Sequence, residues 1–345
     1  MIARWLWAGR SLSARLARFA LVPPSLVFRA LAAARVQAYR SRLLPRESPP
    51  VPTVAVGNLT VGGSGKTPIA AWIAAHYLER GIRPGIVLRG YGGDEAPVHR
   101  KLVSGAVVVE NPDRLAGAKA AVARGAEVVV LDDAFQRLDI DRDLNIAVVS
   151  AESGKAPPWT LPAGPWREAW GALRRADLVV VTRKRAPAEA AADVARRAER
   201  ETGGRPVAIA RLGIAGFHGL LSGDRLDARR IEGARVIAAA GIADPDSFAA
   251  QCRAMGARVR LLPWADHHMP SDRELRQLVA AGRRADFVVV TEKDAAKLHD
   301  RWPVLDAEPY VAELDLAWER GGDVVCDMLN AVVAGVDELL SGSHA

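Results

Sequence analysis

The stretch that decides the fold is Thr53-Val-Ala-Val-Gly-Asn-Leu-Thr-Val-Gly-Gly-Ser-Gly-Lys-Thr-Pro68. Its apolar start predicts a buried strand, its glycines predict a loop, and Lys-Thr-Pro predicts the beginning of a helix. Glycine backbones adopt conformations closed to other residues, so the N–H groups of such a loop can point inward at phosphate oxygens. A helix N-terminus also attracts anions. The stretch therefore predicts a phosphate-binding loop, or P-loop, between a strand and a helix.

The predicted phosphate cradle binds a nucleoside triphosphate together with Mg²⁺. Lys66 is expected to reach the β- and γ-phosphates, and the Thr67 hydroxyl is expected to bind the metal. The eight residues of the cradle are Thr60, Val61, Gly62, Gly63, Ser64, Gly65, Lys66 and Thr67. The general P-loop pattern begins with glycine, and Thr60 stands in that position here.

A second apolar run, Val128-Val-Val-Leu-Asp-Asp133, ends in two carboxylates. A carboxylate at the end of a buried strand beside a P-loop can hold Mg²⁺ directly or through water. We therefore predict that Asp132 or Asp133 binds the metal. The alternative is that these residues only cap a helix or form a solvated turn.

The sequence contains no correctly spaced motif for recognising guanine, which bears on the base of the nucleotide. Guanine-specific P-loop proteins carry an Asn/Thr-Lys-x-Asp motif, and Thr291-Glu-Lys-Asp294 has the wrong spacing because Lys293 and Asp294 are adjacent. We therefore expect ATP.

The pattern of apolar runs predicts a doubly wound α/β fold with a parallel sheet, because the strands are apolar throughout and alternate with helices. The predicted strands are 53–56, 85–88, 106–109, 127–131, 145–149, 178–182, 207–211, 236–239, 259–262 and 287–291. The predicted helices are 67–80, 112–124, 187–202, 245–255 and 273–281, with a final helix from about Asp323. The alternation breaks around 216–231, which predicts a boundary between a P-loop core domain at 46–222 and a smaller α/β domain at 223–345. An amphipathic segment at 1–45 precedes both domains.

The composition of the chain limits the possible cellular compartment and the kind of binding partner. The chain has 345 residues and only two cysteines, so a disulfide framework is excluded and a reducing compartment is expected. The formal net charge is +7, yet nine arginines and no acidic residue occur before Glu47. Such a local excess indicates one anionic partner, a membrane or nucleic acid, and no nucleic-acid-binding module is visible elsewhere.

The first 45 residues favour a membrane surface over a membrane span. Arginines interrupt the segment too often for a transmembrane helix or a signal peptide. Two amphipathic helices broken at Pro23-Pro24 remain, with Trp, Leu and Phe opposite arginine, as in helices that lie in a bilayer interface. The alternatives are helices that only pack on the domain, or a nucleic-acid contact.

Several motifs together resemble the tetraacyldisaccharide 4'-kinases, the lipid A 4'-kinases. The P-loop at 57–68 is similar to that family's, which also begins with threonine. The further matching motifs are Arg89-Gly-Tyr-Gly-Gly93, Asp94-Glu-Ala-Pro97, Asp132-Asp-Ala-Phe-Gln136, Leu161-Pro-Ala-Gly-Pro-Trp-Arg-Glu168, Gly241-Ile-Ala-Asp-Pro245, Asp266-His-His268 and Thr291-Glu-Lys-Asp294. They occur in the family's order over about residues 50–300.

The chain departs from the family pattern at three places. Ala134 replaces a glycine and Arg137 replaces a histidine in the motif that begins at Asp132. The loop before Asp94 lacks the family's usual insertion. Ala96 separates Glu95 from Pro97.

The resemblance implies transfer of the ATP γ-phosphate to the 4'-hydroxyl of tetraacyldisaccharide 1-phosphate, a lipid A precursor. It also implies peripheral or monotopic attachment to the cytoplasmic face of the bacterial inner membrane, whose surface is anionic. Two rival hypotheses are a P-loop NTPase switch and a nucleotide-binding protein that has lost its chemistry.

The resemblance also implies roles for particular residues. Asp94 is the expected base for the sugar hydroxyl and His267 its expected partner, in a cleft between the domains. Arg167 and Glu168 match a pair near the nucleotide and Mg²⁺, with Glu168 as a further metal ligand, although an ordinary surface ion pair is the alternative. A polar surface turn is the alternative for the motif that contains His267.

Overall fold

The computed structural model describes residues 5–7, 9, 11–90, 95–154, 159–303 and 306–341. The chain divides into two compact units. The first comprises residues 1–90, 102–210 and 318–345, and the second comprises residues 91–101 and 211–317. The domains predicted at 46–222 and 223–345 are continuous in sequence, whereas both units are assembled from separated segments because the chain leaves and re-enters each of them.

The first unit is built on a parallel sheet that contains the predicted P-loop strand. Its strands are β1 (Thr53–Asn58), β2 (Pro84–Leu88), β3 (Val107–Glu110), β4 (Val128–Leu131), β5 (Leu144–Ser150) and β6 (Leu178–Arg183). Their order is β3-β2-β4-β1-β5-β6, and the pairs between them are parallel. β1 therefore lies directly beside β4, the strand that ends before Asp132, so the P-loop and the two predicted metal-binding aspartates follow neighbouring strands.

Helices cover this sheet because its strands are apolar on both faces. They are α3 (Lys66–Leu78), α5 (Arg114–Val122), α6 (Ala188–Thr202) and α10 (Gly322–Ser341). The C-terminal helix α10 packs against α3, where Tyr77 donates its hydroxyl to the Leu329 carbonyl at 2.9 Å and His76 Nε2 lies 3.0 Å from Asn330 Oδ1. The helix that follows the P-loop is thus tied to the end of the chain.

The second unit is a smaller α/β assembly. Its strands are β9 (Arg235–Ala240), β10 (Arg258–Pro263) and β11 (Phe287–Thr291), together with parts of β7 (Val207–Gly219) and β12 (Tyr310–Arg320) and the short β8 (Arg225–Leu226). The order is β10-β9-β11-β12-β7, with β8 antiparallel to β7. Its helices are α4 (Glu95–Leu102), α7 (Pro245–Ala254), α8 (Asp272–Gly282) and α9 (Glu292–Leu298).

The structure confirms the predicted α/β class and the strands and helices predicted from apolar runs. Sequence reasoning missed strands β8 and β12 and helices α4 and α9. Both helices begin with charged residues, Glu95 and Glu292, and neither is longer than eight residues. Such short, charged helices carry little periodic signal, so tertiary contacts decide them.

The amino-terminal segment forms α1 (Leu12–Ala20) and α2 (Val22–Arg40), with the break at Leu21 and both prolines in the first turn of α2. The break predicted at Pro23-Pro24 is confirmed to within two residues. Among the described residues, no single helix is long and apolar enough to cross a membrane. α1 and α2, bent by 44° at their junction, meet those length and composition criteria only as a pair.

Candidate active site

The turn between β1 and α3 has the backbone that a phosphate-binding loop requires. Gly62 and Gly65 have φ angles of 113° and 88°, and a side chain at either position would be strained. Gly57, at the end of β1, has no room for a side chain, because a Cβ there would lie 2.5 Å from the Phe135 amide nitrogen. The loop is therefore fixed by its glycines and by close contact with the segment after β4.

Polar groups from neighbouring strands hold the loop. Asn58 Nδ2 donates to Ser64 Oγ at 2.7 Å, and Thr182 Oγ1 donates to the Ser64 carbonyl at 2.6 Å. Lys184 Nζ donates to the Gly63 carbonyl at 2.7 Å. Asn58 lies in the stretch that predicted the P-loop, whereas sequence reasoning missed Thr182 and Lys184. The available signal was their position at the end of β6, because ligands bind at the carboxyl edge of parallel strands.

Glu152 organises the segment that carries Lys184. Its Oε1 accepts the amides of Lys184, Arg185 and Ala186 at 2.7 to 3.0 Å, and its Oε2 accepts Ser150 Oγ at 2.7 Å. Burial opposes the charge of this carboxylate, but the hydrogen bonds outweigh burial and lower the pKa of Glu152. A partly buried carboxylate thus supports the P-loop through the 184–186 backbone.

We expect Glu152→Ala to lower the free energy of unfolding by about 2–3 kcal/mol near pH 7, because three backbone amides and the Ser150 hydroxyl lose a charged acceptor. Because the folded pKa of Glu152 lies below its unfolded value, its stabilisation is present above that unfolded value, about 4.5. It is lost as the pH falls through the folded pKa. Urea unfolding at several pH values measures this. Equal stability of the two proteins at neutral pH would contradict the assignment.

The two predicted metal-binding aspartates have different surroundings. Asp132 is buried, and its carbonyl accepts Arg114 Nη2 at 3.1 Å, while Arg114 Nη1 donates to the Asn111 carbonyl at 2.8 Å. Burial lowers the pKa of Arg114, an effect that the nearby Asp132 carboxylate opposes. Arg114 thus clamps together the loops after β3 and β4 and puts a positive charge near Asp132.

Asp133 lies at the centre of an ion-pair group beside the P-loop. Its Oδ1 is 2.9 Å from Arg167 Nη1, and its Oδ2 is 4.0 Å from Lys66 Nζ. Its φ angle of 54° is left-handed, a conformation that aspartate adopts more readily than most residues. The structure therefore brings together Lys66, Asp133 and Arg167, which sequence reasoning had named separately.

Glu168 does not pair with Arg167. Its two carboxylate oxygens accept Arg175 Nη1 and Nη2, each at 2.8 Å, and its Oε1 also accepts Gln136 Nε2 at 3.1 Å. The Arg175 guanidinium lies over the Phe135 ring at 4.8 Å from its centroid. A metal ion at Glu168 would have to compete with Arg175, so the metal role of Glu168 stays a prediction.

Two of the departures from the family motif have a structural explanation. Ala134 is not in a left-handed conformation, so a side chain fits where the family has glycine. Arg137 forms an ion pair with Asp139 at 2.7 Å and donates to the Pro112 carbonyl at 3.3 Å. These contacts hold the Arg137 guanidinium against its own loop and the loop after β3.

In the second unit, the two adjacent histidines differ. His268 Nε2 is 2.9 Å from Glu274 Oε2, and Glu274 also closes the capping box of α8 with Ser271. His268 is therefore a structural contact. His267 has a left-handed φ of 58°, and its Nε2 lies 3.9 Å from Asp266 Oδ1. Asp94, its predicted partner, lies outside the described residues.

The described residues contain no cluster of three His, Cys, Asp or Glu side chains arranged to hold a metal ion. Mg²⁺ beside a nucleotide needs fewer protein ligands, because one or two carboxylates and the phosphates suffice. The Thr67 hydroxyl at the start of α3 and the carboxylates of Asp132 and Asp133 after β4 are oxygen donors of this kind.

A glycine turn with left-handed Gly62 and Gly65, a lysine at the start of the next helix and an adjacent strand that ends in aspartate define a P-loop nucleotide-binding protein. The model of the tetraacyldisaccharide-1-P 4'-kinase family matches residues 17–332. The chain belongs to this family. The resemblance stated from the motifs is confirmed, as is the class of enzyme, an ATP-dependent kinase of lipid A biosynthesis. A nucleotide switch or a non-catalytic protein is not favoured.

Individual relatives agree with the family model. A tetraacyldisaccharide 4'-kinase from Anaeromyxobacter sp. (strain Fw109-5) is 36% identical over 346 residues, covering 91% of each chain. One from Aromatoleum aromaticum is 36% identical over 310 residues, covering 84% of this chain and 87% of the relative. The crystal structure of LpxK from Aquifex aeolicus in complex with ATP has a TM-score of 0.70 and 25% identity, covering 91% of this chain and 99% of that one.

Proposed function

We propose that this enzyme uses Mg²⁺-ATP to phosphorylate the 4'-hydroxyl of tetraacyldisaccharide 1-phosphate at an anionic membrane surface. The observation that carries the nucleotide part of this proposal is the P-loop turn with Lys66 and Asp133 within 4.0 Å of each other. Phosphoryl transfer is mostly positioning and charge stabilisation, and a lysine, an arginine and carboxylates beside a phosphate cradle supply both.

The phosphate-binding roles follow from these positions. The loop amides from Thr60 to Thr67 cradle the phosphates, and Lys66 neutralises charge on the β- and γ-phosphates. Arg167, which pairs with Asp133, adds positive charge on the same side. Bound Mg²⁺, held by Thr67 and by Asp132 or Asp133, would neutralise charge that develops between the phosphates.

The acceptor hydroxyl must lose a proton as its oxygen bonds to the γ-phosphorus and the bond to the ADP oxygen breaks. We assign Asp94 as the group that takes this proton and His267 as its partner, which shares the proton and orients the carboxylate. The left-handed backbone of His267 supports this assignment, because residues held in such conformations are enriched at functional sites.

One assay tests the proposed reaction. The purified full chain is incubated with γ-labelled ATP, Mg²⁺ and tetraacyldisaccharide 1-phosphate in mixed micelles. We expect label in the lipid, and none when Mg²⁺ is chelated. ATP hydrolysis without labelled lipid would contradict the proposed acceptor.

The membrane part of the proposal rests on the outer surface of α1. Leu12, Leu16 and Phe19 are 72%, 61% and 77% exposed and follow the i, i+4, i+7 spacing of one helix face. Ala14, the buried residue of this helix, lies on the opposite face. Arginines Arg15 and Arg29 are also exposed. Apolar side chains beside arginine are suited to the interface of an anionic leaflet, which we place at the cytoplasmic face of the inner membrane.

We expect the double substitution Leu12→Gln and Leu16→Gln to weaken binding to vesicles of phosphatidylglycerol by about 10²- to 10⁴-fold, because burying each leucine is worth about 1.5–3 kcal/mol and about 1.4 kcal/mol corresponds to a factor of ten. Vesicle flotation measures this. The matched control replaces two exposed leucines of the second unit, Leu221→Gln and Leu314→Gln, and should bind as the wild type does. Equal losses in both variants would contradict a specific role of α1.

A further inference from the structure

The Thr291-Glu-Lys-Asp294 motif is not explained by nucleotide binding. It forms the junction between β11 and α9 in the second unit. Thr291 Oγ1 donates to Asp294 Oδ2 at 2.6 Å and accepts the Asp294 amide at 3.3 Å, so the two residues cap the helix reciprocally. Asp294 is fully buried, and Lys293 beside it is 22% exposed. A helix cap alone does not require the aspartate to be buried or to contact a second loop.

Asp294 reaches beyond its own helix to Gly241. The Gly241 amide donates to Asp294 Oδ2 at 3.0 Å. A Cβ on Gly241 would lie 2.8 Å from Asp294 Oδ1 and 3.3 Å from the Ala265 carbonyl oxygen. Gly241 is therefore packed between the Asp294 carboxylate and the backbone two residues before His267, and Asp294 holds Gly241 beside the entry to that loop.

The exit from the same loop is also fixed. His268 binds Glu274 at 2.9 Å, and Arg301 Nη1 donates to the Pro270 carbonyl at 2.5 Å. His267, with its left-handed φ of 58°, thus lies between two anchored segments. A left-handed non-glycine backbone is costly and persists only where its surroundings hold it.

Lys293 reaches in the direction of a different segment. Its Nζ lies 3.5 Å from Glu95 Oε1, and the Glu95 side chain is 13% exposed. Glu95 is the first residue of α4 and directly follows Asp94 in the chain. The other end of α4 is held by Lys101, whose Nζ donates to His218 Nε2 at 2.7 Å. A partly buried ion pair adds little net stability. The Lys293–Glu95 pair is therefore better explained as a contact that positions α4.

We propose that the Thr291–Asp294 turn is a positioning element for acceptor activation, in which Asp294 fixes the loop of His267 and Lys293 fixes the helix that follows Asp94. This inference rests on the proposed kinase function. Consecutive residues of one turn thereby hold the loop of His267 and Glu95, the residue that follows Asp94 in the chain. Neither Lys293 nor Asp294 touches substrate in this scheme.

Lys293→Met removes the ammonium group but keeps an apolar stem of similar length. We expect its turnover to fall by about 10- to 100-fold, the cost of slight misplacement of a reacting group, while KM for ATP and the thermal midpoint stay at wild-type values. Lys293→Arg should restore most of the turnover. Arg276→Met, an exposed arginine of α8, is the matched control and should change neither parameter.

A double-mutant cycle separates positioning from a general structural role. In an Asp94→Ala background, Lys293→Met should have no further effect on turnover, because its target is already lost. Wild-type turnover in Lys293→Met, or a loss of the same size in both backgrounds, would overturn the inference.

Hydrogen exchange provides a readout that does not depend on activity. Lys293→Met should raise amide exchange in residues 95–102, and Asp294→Asn should raise it in residues 264–268, while Arg276→Met raises neither. An inactive wild type would refute the proposed reaction alone. Unchanged exchange in Lys293→Met would refute the positioning element alone.

Discussion

Lys66→Ala is expected to lower lipid phosphorylation by a factor on the order of 10²–10³ or more, the cost of removing one preorganised charge from a phosphoryl-transfer site. Lys66 is the first residue of α3, directly after left-handed Gly65, and its Nζ lies 4.0 Å from Asp133. In this position Lys66 can leave Asp133 and contact the phosphates when the nucleotide binds. Removal of the ammonium leaves charge on the γ-phosphate uncompensated in the transition state.

The measurement is turnover at saturating ATP and lipid, with the thermal midpoint as a check on folding. Lys119→Ala is a suitable control, because Lys119 is exposed on α5 of the same unit. Retention of wild-type turnover by Lys66→Ala would show that the triphosphate does not bind at this turn. If Lys66→Ala loses turnover while its thermal midpoint stays at the wild-type value, misfolding does not explain the loss.

Asp94→Ala is expected to lower turnover by about 10²–10⁴, the usual contribution of a general base. The KM for ATP should stay within about twofold, because Asp94 acts on the acceptor hydroxyl, and uniform binding of the nucleotide is unaffected. This separation distinguishes a base from a nucleotide ligand. His267→Ala should give a smaller loss of the same kind.

Asp224→Asn is the control, since Asp224 is an exposed aspartate of the second unit. If Asp94→Ala kept full turnover, another group would have to accept the proton. If it raised KM for ATP and left turnover intact, Asp94 would belong to nucleotide binding. The pH profile offers a further check, because removal of the base should abolish the acidic limb of turnover against pH.

The nucleotide-binding half of the site could be read from the sequence because its parts are local. Strand, glycine loop and helix are contiguous from Thr53 to Leu78, and a run of valines before Asp132 marks a buried strand wherever it lies in the chain. Two such strands bounded by these motifs fix the class of fold, since parallel strands present their carboxyl ends at one edge.

Short elements made of charged residues could not be read in this way. Helix α4 carries Glu95 and helix α9 carries Lys293, and neither sequence has a continuous apolar stripe. Both helices bury apolar side chains, such as Val98 of α4 and Leu298 of α9, and the Lys293–Glu95 pair joins segments that are 198 residues apart. The spacing of residues in the sequence does not predict such contacts.

The amino-acid sequence by itself determined the α/β class, the phosphate loop at Thr60–Thr67, the aspartates after β4 and the charge of the first 46 residues, because each depends on neighbouring residues and on composition. Only the tertiary structure decided that Arg167 pairs with Asp133, that Glu168 pairs with Arg175, and that Asp294 accepts the Gly241 amide. These contacts join residues from different elements, and their partners are chosen by packing and burial, which no local pattern encodes.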